Sequence, residues 1–344
     1  MKVLLVLLCI LLCFSAFFLC PPRQKSEVCP LLIKGVSFVA PPDPFQSDPM
    51  VPIKQLGIDW IALIPYAFSS GTRPELHYDV NHWQWWGETH EGIRESIRLA
   101  RQNKLKVMLK PQVYIHRKWI GDLNFDSDSA WSLWENAYEK YILDIATMAN
   151  ESQVEMICIG TEIKHSAEGR PQFWSKLIQK LRKIYSGKLC YSANWDQYSA
   201  VPFWNELDYI GISAYFPLTD ERTPSKELLI EKWKPWQSEL ELFSKQMQKP
   251  ILFTEYGYLS VDSCAGKSWE LEPNVDRLKV NEQAQANAFD ALYSAFWCKP
   301  YFAGGFLWKW FPEMKGHEGY PEKDYTPQGK LAESIIKHWN ENHK

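Results

Sequence analysis

The sequence predicts a single (β/α)8 barrel. Three observations carry this expectation. From Cys29 onward, eight short apolar runs alternate with longer amphipathic stretches. The chain has 344 residues, which suits one large barrel or two ordinary domains. No Pro/Gly/Ser-rich linker interrupts residues 31–341, so one domain is expected over that span. An open doubly wound sheet is the structural competitor. It would want a Gly-rich phosphate turn after the first strand, and residues 36–42, VSFVAPP, supply none.

The eight runs are 33–39, 60–68, 106–114, 156–163, 188–195, 209–215, 250–258 and 302–310. Each is too apolar for a strand with one wet face, so each reads as a parallel strand buried on both sides. Between them, residues 91–100, 131–149, 171–184 and 282–296 carry apolar residues at three- and four-residue spacing, the pattern of helices laid against a sheet. The longer loops, 67–89, 114–130, 216–227 and 259–279, all follow strands. In a barrel such loops form the rim where active sites are built.

The first twenty residues stand apart from this pattern. Lys2 followed by an apolar run to Leu19 has the charge and core of a secretory signal, and it is short for a membrane span. A cleaved signal, a lipid anchor at Cys20 and an uncleaved membrane anchor are the readings it leaves open, and all place the protein outside the cytoplasm. Cys29 precedes the first strand and Cys298 the last, which are neighbours in a closed barrel, so a disulfide between them is geometrically allowed. Cys158 and Cys190 fall inside strands and read as buried thiols.

Composition narrows the function. Lys+Arg 38 against Asp+Glu 41 argues against a basic surface for nucleic acid. Trp 17, Tyr 16 and Phe 17 make up 15% of the chain, and the tryptophans are spread along its whole length. Aromatic rings stack on the apolar faces of sugars, although core filling accounts equally well for any one of them. No nucleotide loop, haem or flavin signature or metal-ligand spacing is present, so no cofactor and no metal are expected. The protein is expected to work as a monomer.

Two carboxylates carry the chemistry. The seventh run, PILFTEYGY, ends in Glu255, and the fourth, MICIGTEI, ends in Glu162. A charge at the end of a buried strand is costly unless something pairs with it or uses it. Strands four and seven face each other across a barrel rim. Cleaving a glycosidic bond takes one carboxyl to protonate the leaving oxygen and another to attack or stabilise the anomeric carbon. The site is expected to be a sugar cleft in which Glu162 and Glu255 divide these two roles.

Carboxylates so placed resemble the large clan of retaining (β/α)8-barrel glycosidases. Within it, Gly160-Thr161-Glu162, the Thr254–Tyr258 segment TEYGY and Ser192-Ala193-Asn194-Trp195 resemble glycoside hydrolase family 113, the single-domain β-mannanases. The likeness covers essentially the whole mature chain. It implies a retaining endo-acting hydrolase of β-1,4-mannan, with Glu162 as acid/base and Glu255 as nucleophile. It also implies that Tyr215 donates to Glu255 and that Trp308 is the platform under the sugar. One departure stands out: most of the clan has Asn before the acid/base, to bind the sugar 2-hydroxyl, and this chain has Thr161. Asn194 is the candidate to take over that contact. Another β-glycan, such as glucan or glucomannan, and a non-catalytic carbohydrate-binding barrel remain the alternatives.

The remaining candidates come from strand ends and loops. Lys110 reads either as a surface cation or as a charge aimed into the cleft. Trp308 and Trp310, at spacing two, are expected on one face of the last strand, with Trp310 further up the rim as a second sugar-binding ring. His82, His116 and Trp83-Gln84-Trp85-Trp86 lie in rim loops where further sugar subsites could form. Asp126 and Asp128 read as N-caps or solvated loop residues ahead of the Trp131 helix.

Overall fold

The computed structural model describes residues 30–80, 83–313 and 320–342. The expected leader over residues 1–20, Cys20, Cys29 and His82 lie outside the described residues. Among the described residues no helix is long and apolar enough to cross a membrane. Cys298 is disulfide-bonded.

Eight parallel strands close into a barrel, each hydrogen-bonded to its sequence neighbours and the last to the first. They are β1 (Ile33–Phe38), β2 (Trp60–Leu63), β3 (Lys106–Leu109), β4 (Met156–Thr161), β5 (Lys188–Asn194), β6 (Ile210–Ser213), β7 (Ile251–Tyr256) and β8 (Phe302–Trp310). Around them lie α1 (Met50–Gln55), α2 (His90–Gln102), α3 (Asp128–Glu151), α4 (Pro171–Ile184), α5 (Lys226–Met247), α6 (Glu282–Phe296) and α7 (Leu331–Asn342). The crossover from β5 to β6 has no α-helix; two 3-10 turns, Tyr198–Ala200 and Trp204–Glu206, cover the sheet there.

The strands are buried on both faces because two apolar layers enclose them. Inside the barrel, Trp60, Met108, Met156, Cys158, Cys190, Leu252 and Phe306 form a compact plug. Outside, a larger cluster fills the space between strands and helices, and it holds the fully buried Trp134, Trp174, Trp204, Trp233 and Trp297. Much of the tryptophan content is therefore core. Helix starts follow local chemistry: Thr89, Ser127, Ser225 and Asn281 each accept a backbone N–H from the first turn of α2, α3, α5 and α6. The cap of α3 is thus Ser127. Asp128 instead pairs with Arg170 at 2.9 Å.

Two of the apolar runs, 60–68 and 106–114, each form a barrel strand and then a second short strand. Pro65 and Pro111 interrupt them, and the chain resumes as short strands Tyr66–Ser69 and Gln112–Ile115. These pair with each other in parallel, from Tyr66 with Gln112 to Ser69 with Ile115, and stand above the barrel rim as a separate two-stranded sheet. They raise one wall of the cleft.

The end of β8 departs from regular alternation. Val36 pairs with Leu307 and Phe38 with Trp310, so two residues of β8 face one of β1. Such a bulge shifts the side-chain alternation by one position. Trp308 and Trp310 therefore do not share a face. Trp310 is 3% exposed and sits in the outer core, with its carbonyl accepting from the Val39 N–H at 2.9 Å. The expectation that it joins the sugar site is corrected.

Candidate active site

A cleft of about 1270 Å³ opens at the C-terminal ends of the strands, where loops from both halves of the barrel meet. Glu162, Asn194, Tyr215, Glu255 and Trp308 all line it. The barrel thus gathers side chains that are far apart in sequence.

Glu255 stands at the end of β7 and is 6% exposed. Lys110, just past β3, is completely buried and directs its Nζ onto Glu255 Oε1. Gln112 Nε2 donates to the same oxygen at 3.0 Å, and the Tyr215 hydroxyl donates to Oε2 at 2.9 Å. Both carboxylate oxygens act as acceptors, the arrangement suited to an anion with no proton to give. Lys110 is therefore no surface cation. Taking away one partner of such a buried pair typically costs about 3–5 kcal/mol. Burial, and then the charge of Glu255, push the Tyr215 phenol well above its ordinary range, so it remains a donor. Next to Glu255, Gly257 lets β7 end close against β8: a Cβ there would lie 2.3 Å from the Trp308 carbonyl oxygen.

Glu162 follows β4 in the left-handed region, with φ 55°, a conformation uncommon for a residue with a side chain. Its N–H donates to the Ser192 carbonyl on β5 at 2.7 Å, which holds the turn in place. Its Oε2 accepts the indole N–H of Trp119 at 2.6 Å. Burial, and then the negative charge of Glu255, push the Glu162 carboxyl above the usual carboxylate range; Trp119, Ser213 and Lys110 pull it partly back. The two glutamates thus differ in kind. One is surrounded by donors and a cation, and the other is biased toward holding a proton.

Trp308 faces the cleft with the Nζ of Lys110 5.9 Å from its ring centre and that of Lys309 5.8 Å away. Asn194, at the end of β5, lines the cleft, and its amide donates to Asp196 at 3.0 Å. Thr161 is buried beside Glu162 and does not line the cleft. Of the rim-loop candidates, Trp83, Gln84 and Trp85 line the cleft; Trp86 packs edge-on against Phe45 at 5.3 Å; His116 is exposed and stands apart from the cleft.

Several lining residues were not legible beforehand. Trp119, from a rim loop, and Gln112, the first residue of the short strand Gln112–Ile115 beneath the cleft, touch the two carboxylates directly, and nothing in the local sequence marks either. Glu88, held by Gln84, has its carboxyl pushed by burial up to about 7. Glu272 accepts from the Tyr325 hydroxyl and is raised by burial, and the Tyr325 ring meets Tyr215 edge-on at 6.0 Å. Tyr320, Asp324 and Tyr325 belong to the loop after β8, a rim loop the apolar pattern did not single out. Exposed aromatic rings stand on both walls: Trp83 and Tyr114 on the side of the two-stranded sheet, and Trp269, stacked on Trp195 at 5.7 Å, on the other.

The sequence profile of Glycoside Hydrolase Family 113 matches residues 44–330. Among solved structures, the GH113 β-mannanase AaManA from Alicyclobacillus acidocaldarius, in complex with ManMIm, is similar with a TM-score of 0.78 at 24% identity, over 93% of this chain and 100% of its own. A GH113 β-1,4-mannanase gives a TM-score of 0.76 at 25% identity, over 90% and 99%. A Glycoside Hydrolase Family 5 mannosidase from Rhizomucor miehei shares the fold, with a TM-score of 0.63 at 12% identity, over 92% and 94%. No curated protein matches the chain.

Proposed function

The chain belongs to glycoside hydrolase family 113, and from that premise we propose that it is a retaining, endo-acting hydrolase of β-1,4-mannan or a closely related β-mannosidic polysaccharide. The observation that carries the mechanism is the unlike setting of its two cleft glutamates. Glu255 accepts from Lys110, Gln112 and Tyr215, while burial and the charge of Glu255 bias Glu162 toward its protonated form.

In the first step Glu255 attacks the anomeric carbon while Glu162 gives its proton to the glycosidic oxygen. The C–O bond breaks, and a covalent glycosyl-enzyme remains. In the second step Glu162, now a carboxylate, takes a proton from water, which attacks the same carbon and releases Glu255. Inversion twice over returns the starting anomeric configuration. Trp308 supplies the platform under the sugar. Asn194 is the candidate for its 2-hydroxyl, since Thr161 stays out of the cleft.

The sugar is proposed from the β-mannanases that the chain resembles, and aromatic rings on both walls support an internal stretch of polymer as the substrate. The test is a panel of mannan, glucomannan, cellulose and xylan with product sizing. The proposal expects mannan to be cut fastest, with a spread of oligosaccharides early in the reaction. Release of monosaccharide alone, or a faster reaction on cellulose or xylan, would replace this reading with an exo-acting enzyme or another β-glycanase. We further propose an extracytoplasmic location from the apolar leader, and the disulfide at Cys298 supports an oxidising compartment.

A further inference from the structure

We propose that Trp119 is a positioning residue for the acid/base, its indole N–H holding Glu162 Oε2 so that Oε1 alone is left to meet the glycosidic oxygen. The inference rests on the reading of Glu162 as acid/base.

Trp119 stands in the loop after the short strand Gln112–Ile115, where Ile120–Asp122 make a single 3-10 turn. It is 37% exposed, and the carboxylate it meets, Glu162, is half-buried. The loop is shaped to hold its ring. A Cβ at Gly121 would lie 2.3 to 2.5 Å from three atoms of the indole, so the ring rests directly on glycine backbone. The Asp122 N–H donates to the Trp119 carbonyl at 3.2 Å and closes the turn. The outcome is the 2.6 Å contact from Nε1 to Glu162 Oε2.

An oxygen that already accepts an indole N–H is the poorer place for a proton. In the acid form the proton therefore sits on Oε1. When it passes to the leaving oxygen, Glu162 gains a negative charge, and the contact from Trp119 becomes a charge-assisted hydrogen bond. The contact is thus stronger after proton transfer than before it, the condition for it to assist the reaction. The other groups that face Glu162 are the Glu255 carboxylate, the Lys110 ammonium, the Ser213 hydroxyl and the Tyr191 phenol. Replacing Trp119 leaves all four in place.

The experiment compares the pH profile of kcat/KM on a mannan oligosaccharide for the full-length wild type and Trp119→Phe. Phenylalanine keeps an aromatic ring and removes the donor. Loss of the N–H should move the alkaline limb up by roughly one pH unit. It should also lower kcat with little change in KM, because the contact strengthens only as the proton leaves. Gly121→Ala keeps the indole but displaces it, and should move the limb in the same direction. It carries the test if Trp119→Phe does not fold, as judged by circular dichroism. A limb that stays in place in the folded variant, or a loss confined to KM, overturns the positioning role and leaves Trp119 as a sugar-stacking wall. A wild type that cleaves no glycoside overturns the functional reading instead.

Discussion

Replacing Tyr215 by Phe removes one hydroxyl and nothing else. That hydroxyl donates to Glu255 Oε2 at 2.9 Å, while Lys110 and Gln112 both serve Oε1. The substitution therefore strips Oε2 of its protein donor and leaves Oε1 fully served. A hydrogen bond to a charged acceptor contributes about 1.5–3 kcal/mol. At 1.36 kcal/mol per factor of ten, its loss corresponds to a fall in kcat/KM of roughly 10- to 150-fold. The ring remains against Tyr325, so the melting temperature should change little. The assay is steady-state hydrolysis of a mannan oligosaccharide, with thermal unfolding as the control for folding. Activity within about threefold of wild type would show that Glu255 does not depend on this donor in the rate-limiting step, and the assigned nucleophile environment would be wrong.

Other substitutions separate the two carboxylates. Glu162→Ala should slow polysaccharide cleavage by more than about a thousandfold, a loss at the upper end for general acid catalysis. It should spare the first step on an activated aryl glycoside, whose leaving group needs no proton; equal losses on both substrates would remove Glu162 from the role of acid. Glu88 tests the electrostatics of the cleft wall through stability. Its carboxyl is raised to about 7 in the fold, above its ordinary unfolded value, so ionising it works against the folded state. The stability it lends is complete at pH values below the ordinary carboxylate range and is lost as pH rises toward 7. Denaturant unfolding at pH 5 and pH 8 should show a smaller drop in Glu88→Gln than in wild type, and an unchanged drop would contradict the burial argument.

The barrel was legible because each strand is an uninterrupted apolar run set off by a polar or aromatic loop. Glu162 and Glu255 were legible for a related reason: a charge closing a buried run is a conflict that only pairing or chemistry resolves. Lys110 and Tyr215 sit within two residues of strand ends, so strand order alone brought them to the rim. What escaped was set by loop geometry. Trp119 and Glu88 lie in rim loops with no periodic pattern, and nothing local says that one reaches Glu162 or that the other is buried. The loop after β8, which brings Tyr325 beside Tyr215, follows a strand whose end looked regular. The bulge there depends on pairing with β1, a long-range contact, and it is what sends Trp310 into the core while Trp308 faces the cleft. Pro65 and Pro111 were visible, but their effect, a separate two-stranded sheet, follows only once β2 and β3 are neighbours.

The central claim is that Glu255 forms the covalent bond to the sugar. A 2-deoxy-2-fluoro-mannosyl fluoride of β configuration slows both steps but leaves the first faster than the second, so the intermediate accumulates. Incubation with the wild type, followed by proteolysis and mass spectrometry of the peptides, should place the fluorosugar on the segment from Ile251 to Tyr256, at Glu255. An adduct on Glu162, Glu88 or Glu272, or turnover without any adduct and with release of the inverted anomer, would contradict the account.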